Sequence, residues 1–518
     1  AGASAPELEA SGRGFVELTK AGDFIDFPCS KPANALVVRF CIPDAAEGGG
    51  MNATLGLYLR GSRIQSISLS SKHSWLYGKT GKPGENGQDN APTEFPHVFW
   101  DEARVLLETK ANAGDVIRLQ KDASDTAAFY RVDLIEPEWV EAPLARPANA
   151  LSISDYGANG KDAAGDTTAI QKCIDEARAQ NKIVWIPAGV FLHNQRFYLD
   201  GVKVRGAGMW HSKLLASAFD NATRFGGYCG FSPSGVGSEV RDLSIEGYST
   251  SRKESCMAFI GSGTNWTIHR VWMNHLTVGL WMAGENSRVA ECRVRTTYAD
   301  GININNGKVL IAKNIVVENN HVRGTGDDGI AILSHEHSPN LSEGIVVRHN
   351  TVSSAWWGTL CDLAGGSGHV IEDNIFQDMG ASGFGIVLPA AYPMNPLIDS
   401  VIRRNLILRA GDNKHSQKRG AIWIYPGSTT ISNVLIADNR VVDPLFRGIH
   451  LTGTKPQFVT FKGNVIERPG EDAIYIEKQV LGAAVFSANA VRQLPQGRRA
   501  LANEAPAEFG VSLEGNQW

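Results

Sequence analysis

The stretch ENNHVRG at positions 318–324 introduces a pattern, an asparagine followed by apolar residues, that recurs along the rest of the chain. The later copies are RHNTVSS (348–354), EDNIFQD (372–378), RRNLILR (403–409), ADNRVVD (437–443), KGNVIER (462–468) and SANAVRQ (487–493). Their asparagines lie 24 to 34 residues apart. Such a period, built from short β segments and turns, is typical of a β-solenoid whose coils stack at about 4.8 Å.

A second short strand follows most of these asparagines, as at 329–333, 385–388, 420–424, 448–451 and 473–476. Leucine-rich repeats have a similar length, but their LxxLxLxxN pattern is missing, and a propeller blade would need about 40–45 residues. The unequal intervals indicate that loops of different length leave the coils. We therefore expect a solenoid whose loops build a groove.

One amphipathic helix is predicted at the start of this solenoid. Asp166 is its predicted N-cap, and the strand 183–186 follows the helix. The apolar face of the helix is formed by Ile170, Cys173, Ile174 and Ala177. We expect the helix to cover the first coil.

The first 145 residues show a different pattern. They break into short apolar segments separated by Gly, Asp and Ser, which predicts the antiparallel strands of a β-sandwich. The segments are 15–18, 24–27, 35–41, 53–58, 66–69, 115–119 and 128–134. Pro137, Pro143 and Pro147 follow at spacings that interrupt a helix or a central strand. The sequence thus predicts an all-β chain with a sandwich domain over 1–145 and a solenoid domain over 146–518.

The densest acidic cluster lies on two successive coils of the predicted solenoid. Residues 293–302 and 321–330 align without a gap, which places Asp300 directly under Asp328, with Asp327 beside it. Stacked carboxylates repel each other, and this repulsion helps to hold one of them protonated. Glycoside hydrolysis needs one protonated acid and one carboxylate. We therefore predict that these three aspartates are catalytic.

The same aspartates also fit a structural role or a cation site. Asp before Gly is a common turn signal, and Asp472 occupies a similar position near the end of the chain. Clustered carboxylates also suit Ca²⁺, although no Asp-rich loop of EF-hand or RTX type supports such a site. We predict no metal site and no required cofactor, and a structural Ca²⁺ is possible but not indicated.

Aromatic and polar residues near the aspartates suit a sugar substrate. Aromatic rings stack on sugars when they line a groove, and otherwise they fill the core. Trp356 and Trp357 are adjacent, so that one of them faces outward if the segment is extended. His335 and His337 follow the acidic coil and could bond substrate or simply lie in solvent. We predict substrate binding by Tyr298, His335, His337, Trp356, Trp357 and Asp362.

Charge and hydropathy exclude several kinds of partner. The chain has 50 Lys+Arg and 54 Asp+Glu, a net charge of -4, which gives no broad basic field for nucleic acid or an anionic membrane. No apolar run approaches the about 18 residues of a membrane span. The beginning AGASAP lacks signal-peptide features, so we expect a secretory signal to be absent or removed. Cys29 and Cys41 could form a disulfide or remain buried thiols, and no zinc spacing is present.

Several segments resemble known families. DYGANGKDAAGDTTAIQKCIDEA (155–177) and VWIPAGVF (184–191) resemble the first coil and capping helix of the pectate-lyase-like right-handed parallel β-helix superfamily. ADGINI (299–304) and GDDGIAI (326–332) resemble the aspartate motifs of polygalacturonase-type hydrolases. The match to glycoside hydrolase family 87, the α-1,3-glucanases and mycodextranases, is closer. It includes SSKHSWLYG (70–78), IRLQKDASDTAAFYRVDLIE (117–136) and RPANALSISDYGA (146–158).

The resemblance implies a function and a role for each aspartate. Asp327 would be the general acid, and Asp300 and Asp328 would position water for an inverting displacement. Asp362 is the nearest counterpart of a fourth acidic position in the family. The Gly-His-Gly and Arg-x-Lys motifs of polygalacturonases are not in register, which argues against a polyuronate. We expect a secreted, extracellular, monomeric enzyme that cleaves an α-glucan internally at α-1,3 linkages.

Two hypotheses from different functional classes remain beside this one. A Ca²⁺-dependent polysaccharide lyase would use the same acidic cluster on the same fold. A non-catalytic glycan-binding solenoid would use the sandwich and the aromatic residues without turnover.

Overall fold

The structure, a computed structural model, describes residues 9–77, 96–98, 100–216, 229–252, 256–307, 310–356, 358–379, 383–388, 393–411 and 418–518. The chain forms two compact units. The first is Ala1–Pro143 with Ser249–Glu254, and the second is Leu144–Tyr248 with Ser255–Trp518.

The first unit is a β-sandwich of antiparallel strands. In its described part, one four-stranded sheet has the order Val16–Leu18, Tyr130–Glu138, Ala33–Cys41, Asp101–Ala111. The other has the order Phe24–Pro28, Val116–Gln120, Asn52–Leu59, Ser62–Ser70. A strand pair, Trp75–Tyr77 with Pro96–Val98, and a 3₁₀ turn, Ser11–Arg13, complete it. The two sheets share one apolar core, in which Leu36 and Leu55 are fully buried.

The second unit is a parallel β-helix. Within the described ranges, twelve strands form what we name the front sheet, and its neighbouring strands pair in parallel. In order, these strands are Phe197–Asp200, Phe231–Ser234, Met257–Gly261, Val278–Met282, Ile302–Asn305, Ile330–Leu333, Thr359–Ala364, Phe384–Leu388, Ile422–Ile424, Ile449–Leu451, Ile474–Ile476 and Leu501–Asn503.

The remaining strands of this unit form a longer sheet, 26-stranded over the residues described, and one short pair. The long sheet contains Ala150–Ser152, Ile183–Ile186, Gly189–His193, Lys203–Gly206, Ser212–Ala216, Glu239–Glu246, Thr267–Leu276, Arg288–Ala290, Arg293–Thr297, Val316–Glu318, His321–Thr325, Val346–Arg348, Thr351–Ser353, Gly366–Ser367, Val370–Glu372, Ile375–Gln377, Leu397–Ile398, Val401–Arg403, Leu406–Leu408, Ile431–Ala437, Arg440–Val442, Pro456–Lys462, Val465–Glu467, Leu481–Ser487, Ala490–Arg492 and Gly510–Glu514. The pair is Gly284–Glu285 with Ala312–Lys313.

The repeated asparagines lie at the same position of successive coils and form a hydrogen-bonded ladder from coil to coil. The backbone N–H and the side-chain Nδ2 of Asn350 both donate to Oδ1 of Asn374, each at 2.9 Å. Nδ2 of Asn350 also donates to Val317 O at 2.9 Å. These bonds pair the buried side-chain amide of Asn350, as a buried amide must be. The ladder runs through Asn320, Asn350, Asn374, Asn405, Asn439, Asn464, Asn489 and Asn516.

Apolar columns fill the interior of the β-helix. Ile302, Ile330 and Cys361 are stacked neighbours on the front sheet, and all are fully buried. The helix Thr167–Gln180 packs on the first coils through the four residues predicted for its apolar face. Asp166 is the N-cap residue, as predicted, and its backbone carbonyl accepts from Ile170 N at 3.0 Å. Its carboxylate does not bond to the first turn of the helix but accepts from the backbone N–H groups of Asn159 and Leu192.

The predicted fold class, a β-sandwich followed by a right-handed parallel β-helix, is confirmed. The β-helix also contains a short 3₁₀ helix, Ile153–Tyr156. In the parts of the chain that the structure describes, no helix is long and apolar enough to cross a membrane.

Candidate active site

The three aspartates predicted to be catalytic lie in two stacked turns beside the front sheet. The strands that follow these turns are in register, with Ile302 paired to Ile330. One carboxylate oxygen each from Asp300, Asp327 and Asp328 lies within 4.8 Å of the other two. The structure therefore brings all three carboxyl groups into one cluster.

Two threonines give the stacked turns the same shape. The Thr297 hydroxyl donates to Ala299 O at 2.8 Å, and one coil later the Thr325 hydroxyl donates to Asp327 O at 2.8 Å. Thr297 and Thr325 are direct neighbours in the long sheet. Because the same bond closes both turns, the aspartates that follow them are stacked.

Two glycines allow the backbone to approach closely at this point. A Cβ at Gly326 would lie 2.4 Å from Tyr298 O on the coil below. A Cβ at Gly358 would lie 2.4 Å from Asp327 Oδ1 and 2.5 Å from Asp328 Oδ1. A side chain at either position would displace the acidic turn, so both glycines help to form the site.

Hydrogen bonds hold both oxygens of Asp300. Its Oδ2 accepts from Asn303 Nδ2 at 2.6 Å, and its Oδ1 accepts from the backbone N–H of Asp328 at 3.3 Å. Asn303 Oδ1 in turn accepts from Asn305 Nδ2 at 3.0 Å. These donors fix the orientation of the Asp300 carboxyl group.

Asp328 is buried among other carboxyl groups. Burial raises the pKa of this carboxyl well above its usual value, and the charges of Asp327, Asp362 and Asp300 raise it further. The backbone N–H of Thr359, which donates to Asp328 Oδ1 at 2.8 Å, opposes this shift only in part. Burial and the neighbouring charges therefore favour the protonated form of Asp328.

The other residues predicted to bind substrate do not share one environment. Asp362 lies on the next strand of the front sheet, paired with Ala331, and acts on Asp328 through its charge. Tyr298 is 1% exposed and Trp356 is 3% exposed, so their rings are packed in the interior. Trp357 lies outside the described residues.

His335 and His337 line a cavity of about 480 Å³ on the front of the β-helix. Both follow the strand Ile330–Leu333. Four further residues that line the cavity are Ile260, Trp281, Asn305 and Leu310. The cavity belongs to the same coils as the acidic cluster and to those just before it.

We name the outward-facing ladder of the front sheet the front row. It contains Ile260, Trp281, Asn303, Ala331, Asp362, Val387, Trp423, His450 and Tyr475. Trp281 lies two strands before Ala331, and Trp423 lies two strands after Asp362. Trp423 stacks on Tyr425, with ring centroids 4.6 Å apart. Aromatic residues thus lie on both sides of the acidic cluster.

Sequence reasoning missed Asn303, Asn305 and Gly358. A signal for the two asparagines was present, because GININN (301–306) alternates polar and apolar residues and places both asparagines on the outer face of their strand. Gly358 had no such signal, since its role depends on contact with the preceding coil.

The spacing of the three carboxylate oxygens is also compatible with a divalent cation, because Ca²⁺ and Mg²⁺ prefer oxygen ligands. Asp300 and Asp328 already accept backbone or amide hydrogen bonds. These bonds orient the carboxyl groups without an ion.

Residues 2–140 match the family model for the alpha-1,3-glucanase catalytic domain D1, and residues 163–380 match the model for the catalytic domain D2. Together the two models cover more than half of the chain. No curated protein matches the chain.

Solved structures are similar over nearly the whole chain. The Agl-KA catalytic domain is 24% identical with a TM-score of 0.87, covering 99% of this chain and 94% of that chain. The catalytic unit of a thermostable GH87 alpha-1,3-glucanase from Streptomyces thermodiastaticus strain HF3-3 is 25% identical with a TM-score of 0.84. The match covers 100% of this chain and 92% of that chain. A GH87 alpha-1,3-glucanase catalytic domain in complex with nigerose is 27% identical with a TM-score of 0.83. The match covers 98% of this chain and 94% of that chain. The family inferred from the sequence is therefore confirmed, and the chain belongs to the alpha-1,3-glucanase catalytic domains of glycoside hydrolase family 87.

Proposed function

We propose that this glycoside hydrolase cleaves α-1,3-glucosidic bonds inside a glucan chain and inverts the configuration of the anomeric carbon. The observation that supports the proposal is the cluster of Asp300, Asp327 and Asp328, in which one carboxylate oxygen of each residue lies within 4.8 Å of the other two. Inverting hydrolysis needs a proton donor for the leaving oxygen and a carboxylate that activates water. The cluster offers both in one place.

Asp327 is the proposed general acid. It is partly exposed, whereas Asp300 and Asp328 are buried, so Asp327 is the member of the cluster that can reach a bound sugar. The raised pKa of Asp328 supports a retained proton in the cluster, and neighbouring carboxyl groups share their titration. Asp300 and Asp328 would hold the attacking water.

The proposed inversion assigns Asp300 to orient water and not to attack carbon. Carboxyl pairs about 5–5.5 Å apart are typical of retaining enzymes and pairs about 6.5–9.5 Å apart of inverting ones, so the short spacing alone would suggest retention. A retaining nucleophile, however, must reach the anomeric carbon of a bound sugar, and Asp300 is buried. Both oxygens of Asp300 accept hydrogen bonds, which suits a group that orients water.

A neutral glucan fits the surroundings of the cluster. Trp281 and Trp423 lie on either side of the aspartates along the front row, as expected for a chain that extends in both directions. A related catalytic domain binds nigerose, and we propose the same class of sugar here. Binding sites on both sides of the cleaved bond support internal cleavage.

The test uses insoluble α-1,3-glucan and the variants Asp327→Asn and Asp328→Asn. We expect each variant to lose at least about 100-fold in the release of reducing sugar, the magnitude typical of a lost acid or base. Proton NMR of the first products should show the β-anomer before mutarotation. Unchanged activity in both variants would reject the catalytic assignment, and a first product in the α-form would reject inversion.

We also propose that the reaction needs no metal and that a monomer performs it outside the cell. Treatment with EDTA should leave the rate on α-1,3-glucan unchanged and should produce no ultraviolet-absorbing unsaturated ends. Loss of activity on chelation, together with such ends, would favour the lyase hypothesis. Light scattering of the active protein should give the mass of one 55.9 kDa chain.

A further inference from the structure

The coil that follows the two acidic turns places a threonine at the position of their stacked aspartates. Gly301 N donates to Asp328 O at 2.8 Å, and one coil later Gly329 N donates to Thr359 O at 2.7 Å. The same backbone bond therefore joins Asp328 to the coil before it and Thr359 to the coil of Asp328. Thr359 thus continues the stack that Asp300 begins.

A second hydrogen bond repeats from coil to coil at this position. The backbone N–H of Asp328 donates to Asp300 Oδ1 at 3.3 Å, and the backbone N–H of Thr359 donates to Asp328 Oδ1 at 2.8 Å. Each N–H is thus given to the carboxylate of the preceding coil. We name Asp300, Asp328 and Thr359 the turn column, because they occupy equivalent points of three stacked turns.

One additional residue in the third turn hides this equivalence from the sequence. Gly326 N and Trp356 N each donate, at 2.6 Å, to the carbonyl of a threonine on the preceding coil, so the two turns begin alike. Asp328 follows Gly326 by two residues, whereas Thr359 follows Trp356 by three. An alignment without a gap therefore does not place Thr359 on the turn column.

The Thr359 hydroxyl is buried, and it has no hydrogen-bond partner among the residues that the structure describes. The residue is 7% exposed. Thr297 and Thr325 differ from it, because their hydroxyls close the two acidic turns with bonds of 2.8 Å. Buried hydroxyls are in large majority paired with protein or with ordered water. The Thr359 hydroxyl therefore has its full bonding capacity available for water.

A water bonded to this hydroxyl lies next to the acidic cluster. Oγ1 is three bonds from the backbone N of Thr359 and so within about 4 Å of it, and this N is 2.8 Å from Asp328 Oδ1. A hydroxyl oxygen can accept a hydrogen bond, and so can a carboxylate. If each accepts one proton of the same water, a lone pair of that water remains free to attack a carbon atom.

We propose that Thr359 is a catalytic residue whose Oγ1 accepts one hydrogen bond from the attacking water, while an aspartate of the turn column accepts the other. The inference rests on the proposed function, because inversion requires that water. As the water oxygen bonds to the anomeric carbon, its proton passes to the aspartate, and the glycosidic oxygen leaves with the proton of Asp327. Thr359 stays neutral and only orients the water.

The test compares Thr359→Val, which removes the hydroxyl at nearly constant shape, with Thr359→Ser, which retains it. Both variants keep the backbone N–H that bonds Asp328. The matched control is Thr460→Val, because Thr460 is a half-buried threonine on the strand Pro456–Lys462 of the long sheet. The measurements are kcat and KM on an α-1,3-linked glucose tetrasaccharide, together with the thermal midpoint.

We expect Thr359→Val to lower kcat by about 10- to 100-fold, because a nucleophile misplaced by about 1 Å reacts about 100 times more slowly. KM should change less than about threefold, and Thr359→Ser should keep kcat within about threefold of the parent. The midpoint of Thr359→Val should equal or exceed that of the parent, because the substitution breaks no bond within the described protein and removes a buried polar group. Thr460→Val should leave kcat and KM unchanged.

The opposite pattern would overturn the inference. A lower midpoint with unchanged kcat in Thr359→Val would mean that the hydroxyl serves the fold and not the reaction. An equal loss of kcat in Thr359→Ser would mean that the shape of the side chain matters and the hydroxyl does not.

A fluoride substrate separates the water side of the reaction from the acid side. Fluoride leaves the α-fluoride of an α-1,3-linked glucose disaccharide without needing a proton, so Asp327→Asn should recover much of its rate on it. Thr359→Val should remain as slow, relative to the parent, as on the tetrasaccharide. Recovery of Thr359→Val would overturn its role on the water. Unchanged glucan hydrolysis in Asp327→Asn and Asp328→Asn would instead reject the proposed function, so the two failures are distinguishable.

Discussion

At the scale of single residues, Asp362 is expected to set the alkaline limit of activity. Its negative charge is one of the causes that raise the pKa of Asp328. Asp362→Asn removes that charge, so the pKa of Asp328 falls and the cluster loses its proton at a lower pH. We expect the alkaline limb of the kcat/KM profile to move to lower pH.

The control for this profile is Asp472→Asn. Asp472 precedes Ile474 as Asp300 precedes Ile302, by two residues, and it pairs with Arg499 at 2.9 Å far from the cluster. This variant should leave the profile unchanged. An unmoved alkaline limb in Asp362→Asn would show that Asp362 does not influence the catalytic proton.

Asp328 should also reduce stability at neutral and alkaline pH. Its pKa is raised in the folded chain, so the folded state holds a proton that the unfolded chain releases near pH 4. Stability from this group is therefore complete below that pH and is lost as the pH rises toward the raised value. Asp328→Asn cannot ionise and still offers an oxygen to Thr359 N. Its unfolding midpoint should exceed that of the parent at pH 8 and equal it near pH 4.

Asp472 supplies the opposite case. Burial would raise the pKa of this carboxyl, but the hydrogen bonds and charge of Arg499 outweigh it and lower the pKa. Asp472→Asn should therefore lower the midpoint at pH 8. If both variants shift the midpoint in the same direction, the assignment of opposite electrostatic roles is wrong.

Gly358 is predicted to matter for catalysis. The Cβ of Gly358→Ala would lie 2.4 and 2.5 Å from the Asp327 and Asp328 carboxylates, so these groups must move. A shift of about 1 Å in a catalytic group costs about 100-fold in rate. Gly165→Ala is the control, since a Cβ there meets no atom within 4 Å. Wild-type kcat in Gly358→Ala would contradict the close approach.

At the scale of the structural element, the asparagine ladder should stabilise the stacked coils. Asn464 Nδ2 donates to Ile436 O at 2.8 Å and to Asn489 Oδ1 at 3.0 Å, and Asn464 Oδ1 accepts from Asn439. Asn464→Ala leaves these buried partners unpaired, at a cost of about 2–4 kcal/mol in unfolding free energy. Lys462→Ala, at an exposed position two residues before Asn464, should change the unfolding free energy by less than about 0.5 kcal/mol. Urea unfolding measures both variants.

The elements that sequence predicted well are those with a local periodic signal. The ladder asparagines, the apolar face of the helix Thr167–Gln180 and the stacking of Asp300 on Asp328 all follow from spacing alone. The burial of Tyr298 depends on contacts between coils, which spacing does not contain. Left-handed backbone at Arg404 and Ala488, directly before ladder asparagines, likewise has no signal in residue type.

At the scale of the whole molecule, the family was predictable because motifs along nearly the whole chain resemble it. A hydrolytic site was predictable because the acidic motifs fall at one turn position of a repeated coil. The cavity was not, because it combines residues that lie up to about 75 positions apart, such as Ile260 and His335. Only the stacking of coils brings these residues together. The hydrogen bond from Asn303 to Asp300 also depends on the fold. The two residues are close in sequence, but only the folded turn brings the amide and the carboxylate together.

The charge balance of the molecule leads to a final prediction. A net charge of -4 over 518 residues gives little long-range field, and an uncharged glucan feels none. The kcat/KM on soluble α-1,3-linked oligosaccharides should therefore change less than about twofold as NaCl rises from about 20 to about 500 mM, although the Debye length shrinks severalfold. Polygalacturonate, a polyanion, serves as the comparison and should not be cleaved at either salt concentration. A steep fall of kcat/KM with salt would mean that charge attracts the substrate and that a neutral glucan is the wrong assignment.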